Sequence, residues 1–203
     1  MTAGPAEASL ARDLLAMAAE DLRVRGELAA DGSLFQGYHP RMREVHDRHA
    51  ARLSQVLARH GWPGRSLVGE DGAEAAWLVL QHAIGHPALQ RVGLRLLSQA
   101  VAAGEAPPAQ AAMLEDRIRI HEGRPQRFGT QLDWDRNDEL SPLPIEDEEG
   151  VDARRREAGL APLAEHVRRV RERASEEGDG PPADLEARRE AQEAWLRETG
   201  WRK

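Results

Sequence analysis

Cysteine is absent from the 203 residues. Disulfides, thiolate nucleophiles and cysteine-ligated metals are excluded together. Lysine is nearly absent, and the single one is Lys203. Schiff-base chemistry therefore has no residue in the body of the chain. The other basic side chains are arginine, as GC-rich codon usage in a bacterial genome would give. Aromatics are 4% of the chain against 40% apolar residues in all. A core of Leu, Ala and Val favours packed helices over a sandwich of strands. No apolar run reaches the ~18 residues of a membrane span. The opening segment MTAGPAEASLARDLLAMAAED lacks an apolar signal core, so a cytoplasmic protein without membrane contact is expected. A basic surplus is also missing: 28 basic residues stand against 35 acidic, for a net charge of −7. Nucleic acid is thus not an expected partner. P-loop, GxGxxG and GxSxG motifs are all lacking.

What is present is helical periodicity. Apolar spacing predicts helices over about 6–28, 41–60, 71–84, 87–103 and 109–121, punctuated by Gly and Pro. The third, AEAAWLVLQHAI, is apolar almost all round, which suits a buried central helix. Residues 122–150 carry turn residues and short alternation. They predict a small β-hairpin at about 126–145. A short helix with Asp152 as its cap, a helix over 162–176 and a charged helix over 183–198 follow. The stretch EEGDGPP reads as a linker. The expected architecture is mainly α: a compact helical bundle around a buried central helix, with a small β-hairpin and a charged C-terminal helical tail. One domain would cover 1–177, and 178–203 would be linker and tail, with Trp195 and Trp201 available for self-association.

Polar residues on apolar faces are the functional signal. On the first helix Leu10, Leu14, Met17, Leu22, Val24 and Leu28 share one face, and Asp21 and Arg25 fall on it. A charge there costs several kcal/mol unless paired, roughly enough to demand a partner. Asp21 and Arg25 are one turn apart, so they form either a buried ion pair or the wall of a pocket. On the fifth helix Asp116, Arg117 and His121 lie on or beside the apolar face. On the third, Glu74, Gln81 and His82 form one stripe that has to find partners inside. Gln126, Gly129, Thr130 and Gln131 form a compact string of donors and acceptors beside a glycine.

Histidine supplies the remaining chemistry. His46, His49 and His60 lie on the apolar side of the second helix, where most histidines are satisfied core residues. His82 and His86 have the i,i+4 spacing of a metal pair. No Glu follows the first, and Gly85 and Pro87 flank the second, so neither a metal nor another cofactor is expected.

The series HGWPGRSLVGEDGAEAAWLVLQHA (60–83), LEDRI (114–118), PQRFGTQ (125–131), PIED (144–147) and VDARRREAGLAPL (151–163) resembles the bacterial domain of unknown function 6624 family. Asp21 and Arg25 also sit where that family's pattern carries Asp and Arg. The resemblance covers about residues 10–166 and implies no activity. It implies that Gln81, His82, Asp116, Arg117, Gln126, Gly129, Thr130 and Gln131 are the family's hallmark positions, and His86 is outside the pattern.

Two functions remain open. The first is a metal-independent acid–base enzyme acting on a small polar or anionic molecule. His82, Asp116 and Asp21 would be its catalytic groups, and Arg25, Gln81, Arg117, Gln126, Thr130 and Gln131 its substrate contacts. The second is a non-catalytic ligand-binding or protein-interaction module. The inward polar residues are expected to share one cavity; separate structural pairs would instead favour the binding-module reading.

Overall fold

A computed structural model describes residues 5–35 and 37–203. Gln36 in the first loop, and the first four residues of the opening segment, lie outside them. The chain divides into two compact units, Met1–Gln110 and Ala111–Lys203. This differs from a single domain reaching residue 177.

The first unit contains α1 (Pro5–Ala30), α2 (Pro40–His60), α3 (Arg65–His82) and α4 (Pro87–Ala102). Proline opens α2 and α4 at a position where its missing N–H costs nothing. α3 packs against α1, α2 and α4, and it buries Ala75, Ala76, Trp77, Val79 and Leu80. It is the central helix that its apolar sequence predicts. It starts six residues earlier than the periodicity suggested, because Gly69 takes φ 74° and lets one turn precede the main helix across a kink. Its C-terminal carbonyls are held from α4: fully buried Gln90 donates through Nε2 to Leu80 O at 2.9 Å and Gln81 O at 3.3 Å.

On α1 the inward face holds Leu10, Leu14, Met17, Asp21, Val24 and Leu28. Leu22 is 55% exposed. This corrects its place on the inward face: at about 100° per residue it stands roughly a quarter-turn round from the Leu14–Leu28 line. Glu74 is likewise exposed, one turn out from the buried stripe, and accepts from Gln110 Nε2 at 2.7 Å.

The boundary between the units falls in the first turn of α5 (Pro108–His121). The second unit holds the rest of α5, β1 (Leu132–Trp134), β2 (Leu140–Pro142), α6 (Val151–Glu157), α7 (Leu163–Glu177) and α8 (Leu185–Glu198). β1 and β2 pair antiparallel, Asp133 opposite Ser141. The hairpin is shorter than the sequence suggested, because Gln126–Gln131 is committed to a loop wrapped on α5. Asp152 lies inside α6 and does not cap it; its carboxylate accepts from Leu163 N at 2.7 Å.

The C-terminal segment is part of this unit. Leu196 and Trp201 are 2% and 4% exposed. The rings of Trp195 and Trp201 meet His121 edge-on, and Arg202 donates to the carbonyls of His121 and Ile120 at 2.9 Å each. A tail that adds little to folding was expected, because GDGPP breaks the chain and few apolar residues follow; Trp195, Leu196 and Trp201, with Arg202, nevertheless seat it in this unit. No described helix is long and apolar enough to cross a membrane.

Candidate functional site

Within the first unit, Asp21 of α1 is fully buried and meets two imidazoles. His82, the last residue of α3, places Nδ1 2.9 Å from both carboxylate oxygens. His46 of α2 places Nε2 3.0 Å from Oδ2. Burial alone would raise the Asp21 carboxyl; the two imidazoles set against it, His82 hydrogen-bonded and His46 in close contact, outweigh that and hold the group well below the ordinary carboxylate range. One ligating atom from each of the three residues lies within 4.8 Å of the other two. His82 is the accessible member, with 27% of its side chain exposed against 8% for His46.

The cluster has its own supports. Tyr38 Oη lies 2.7 Å from His46 Nδ1, with the two rings stacked. Burial pushes the Tyr38 phenol above its ordinary value, so it stays a neutral hydroxyl. One turn along α2, buried His49 meets Glu20 at 3.0 Å. His86 turns away and meets Asp47 at 2.8 Å. A groove of about 360 Å³ in this unit, lined by Asp13, Arg52, Arg59 and His60 among others, includes none of Asp21, His46 and His82.

The second unit buries another aspartate with other company. Asp116 accepts from the backbone N–H groups of Arg127 (2.7 Å), Phe128 (3.1 Å) and Thr130 (3.0 Å), and from Thr130 Oγ1 (3.0 Å). Its acceptor capacity is used. Gln126, also fully buried, donates to the carbonyls of Gln131 and Leu143 and accepts from Gln131 N, all at 2.8 Å. Buried Arg155 donates to the carbonyls of Ala161 and Phe128. Gly129 sits at φ 66°, and a Cβ there would come within 2.7 Å of Leu163. This set builds a loop: most of its hydrogen bonds go to backbone groups.

Arg117 and His121 lie on α5. Desolvation lowers the Arg117 guanidinium to about 10, which leaves it charged at neutral pH. Desolvation, with Arg117 and Arg202 adding repulsion, lowers His121 to about 3, so its imidazole is neutral.

The residues expected to share a cavity therefore fall into two groups, one within each unit. Asp21 and His82 meet, and Gln81 is buried beside His82 on α3. Arg25 is half-buried one turn from Asp21. Asp116, Gln126, Thr130 and Gln131 meet around one loop. Asp116 is a poor acid–base candidate on this geometry, since rigid amides occupy it. His46 and Tyr38 were the residues sequence reasoning missed. His46 carried the same signal as Asp21, a polar group centred on an apolar face beside Val45 and Met42, but was read as ordinary core. Tyr38 carried no signal beyond being the only tyrosine.

The family of unknown function DUF6624 matches residues 8–176, and the chain belongs to it. No curated protein and no solved structure matches the chain.

Proposed function

We propose that this DUF6624 member is an enzyme acting on a small polar molecule, with its reaction site at Asp21, His46 and His82 in the first unit. Family membership supplies no activity, so the reading rests on the geometry. The observation that carries it is one fully buried carboxylate shared by two imidazoles, one of them accessible. A buried carboxylate beside an imidazole sets that ring's orientation, and an accessible ring gives a substrate somewhere to meet it. Such a site removes a proton from water or from a substrate hydroxyl. Arg25, one turn from Asp21, is the nearest candidate on α1 to receive an anionic substrate group. Asp116, Gln126, Thr130 and Gln131 serve as scaffold for the second unit in this reading, and not as substrate contacts.

The experiment is a turnover screen of the purified full chain on chromogenic phosphoesters, carboxylic esters and amides. We expect one class to be hydrolysed, with the rate falling at least ~100-fold in His82→Ala, as loss of an acid–base group does. Helical circular dichroism should be unchanged. Turnover that survives His82→Ala, or that is lost only together with the helical signal, overturns the assignment.

A further inference from the structure

The site as described needs an agent that makes the abstracted proton acidic. We propose that Asp21, His46 and His82 hold one divalent first-row transition-metal ion, through a carboxylate oxygen of Asp21, Nε2 of His46 and Nδ1 of His82. The proposal rests on the placement of the reaction site at this cluster.

Distance is the first argument. Donor atoms ~2.1 Å from an ion, at right angles to one another, stand about 3.0 Å apart. The carboxylate–imidazole separations are 2.9 Å and 3.0 Å, and the three donor atoms all lie within 4.8 Å of one another.

Alignment is the second. His46 Nε2 lies 3.0 Å from Asp21 Oδ2, yet it makes no hydrogen bond and is fully enclosed. The ring around it is 8% exposed. A buried nitrogen left without a partner forfeits the hydrogen bonds it would have in water. Proximity without alignment is what two ligands of a common centre show, because both lone pairs point at that centre and not at each other.

Support for the ring is the third. The Tyr38 hydroxyl, 2.7 Å from His46 Nδ1, can accept that nitrogen's proton as a hydrogen bond. Nδ1 is then the protonated nitrogen, and Nε2 keeps its lone pair. Metal-bound histidines are held this way by a partner on the other ring nitrogen.

Charge is the fourth. Asp21 is wholly removed from water, and a buried carboxylate needs compensating positive charge. A cation at the meeting point of its two imidazole partners supplies it. Two imidazoles and one carboxylate, with no thiolate, suit zinc, manganese, iron(II) or nickel over calcium and magnesium, which prefer oxygen shells. His82 is the exposed ligand, so water reaches the ion from its side. Bound water would lose a proton to solvent and leave a metal hydroxide, the ion itself keeping its oxidation state.

Sequence spacing offers only His82 with His86 as a metal pair. The structure gives His86 to Asp47 and supplies His46 in its place.

The test uses the full chain, stripped with a chelator and titrated with zinc by calorimetry and with cobalt(II) by visible absorption. We expect one ion per chain. His46→Ala, His82→Ala and Asp21→Asn should each abolish stoichiometric binding with the helical signal intact. Tyr38→Phe, which keeps the ring and removes only the hydroxyl, should weaken binding about 10–100-fold. His86→Ala should leave it unchanged. Less than a tenth of an ion per chain, or binding that survives both His46→Ala and His82→Ala, overturns the proposal. If no ion binds while His82→Ala still removes turnover, the metal fails and the reaction site stands. If one ion binds with the stated variant pattern and no substrate class is turned over, the metal site stands and the enzymatic reading fails.

Discussion

Asp21 and Asp116 are both fully buried aspartates on inward helix faces, and they teach opposite lessons. Asp116 is surrounded by groups that donate to it: three backbone N–H groups and the Thr130 hydroxyl. Asp21 is surrounded by imidazoles, each of which can donate through one nitrogen and accept through the other. The first environment fixes a loop and admits no change of proton or ligand. The second tolerates such changes, and chemistry requires that tolerance. Burial marks both residues as important; the identity of the partners separates architecture from reactivity.

One substitution made at both positions sharpens the contrast. Asp116→Asn should be the most damaging, because it turns an amide donor toward amide donors. We expect a loss of roughly 3–5 kcal/mol, the cost of breaking a buried charge-assisted network. Chemical denaturation would read it, with amide hydrogen exchange accelerating around residues 126–131.

The second effect is the acid sensitivity that His121 gives the second unit. The folded His121 value of about 3 lies below its ordinary 6.5. The unfolded chain therefore binds the proton more readily. Stability should be complete above pH ~6.5 and fall as the pH drops toward ~3, by up to ~1.4 kcal/mol per pH unit. His121→Phe should flatten that slope in melts recorded across the range. A slope that persists in the variant would assign it to carboxylates instead.

The smallest stability effect should be Asp21→Asn. The imidazoles can exchange donor and acceptor roles to meet an amide, so we expect a change within about 1 kcal/mol. A loss equal to that of Asp116→Asn would erase the contrast and make the first unit's cluster structural as well.

The helices were legible because Leu, Ala and Val recur at 3.6-residue spacing and Pro and Gly punctuate them. Asp21 and His82 were legible for the same reason: a wheel shows when a charge faces inward. Which charges meet was not legible. Asp21 and Arg25 share a helix and invited pairing, while the partners that took the carboxylate come from α2 and α3, 25 and 61 residues away in sequence. Sequence spacing reports a helix's own face and is silent on the face opposite. The loop at 126–131 was read as strand because its alternation was genuine; three of its backbone N–H groups instead bond to one side chain, Asp116, which no local pattern encodes.

Gln90 has one more implication. By holding the carbonyls of Leu80 and Gln81, it fixes the residue at which α3 stops, and so the position of the His82 ring. The donor set of the proposed site is therefore assembled in advance of any ligand. An incoming ligand does not have to order the chain, and the entropy that ordering would consume stays available as affinity. Gln90→Leu touches none of the three donors, yet it would let the end of α3 fray. The same cluster would then have to be gathered anew at every encounter, and capture would be slower and weaker.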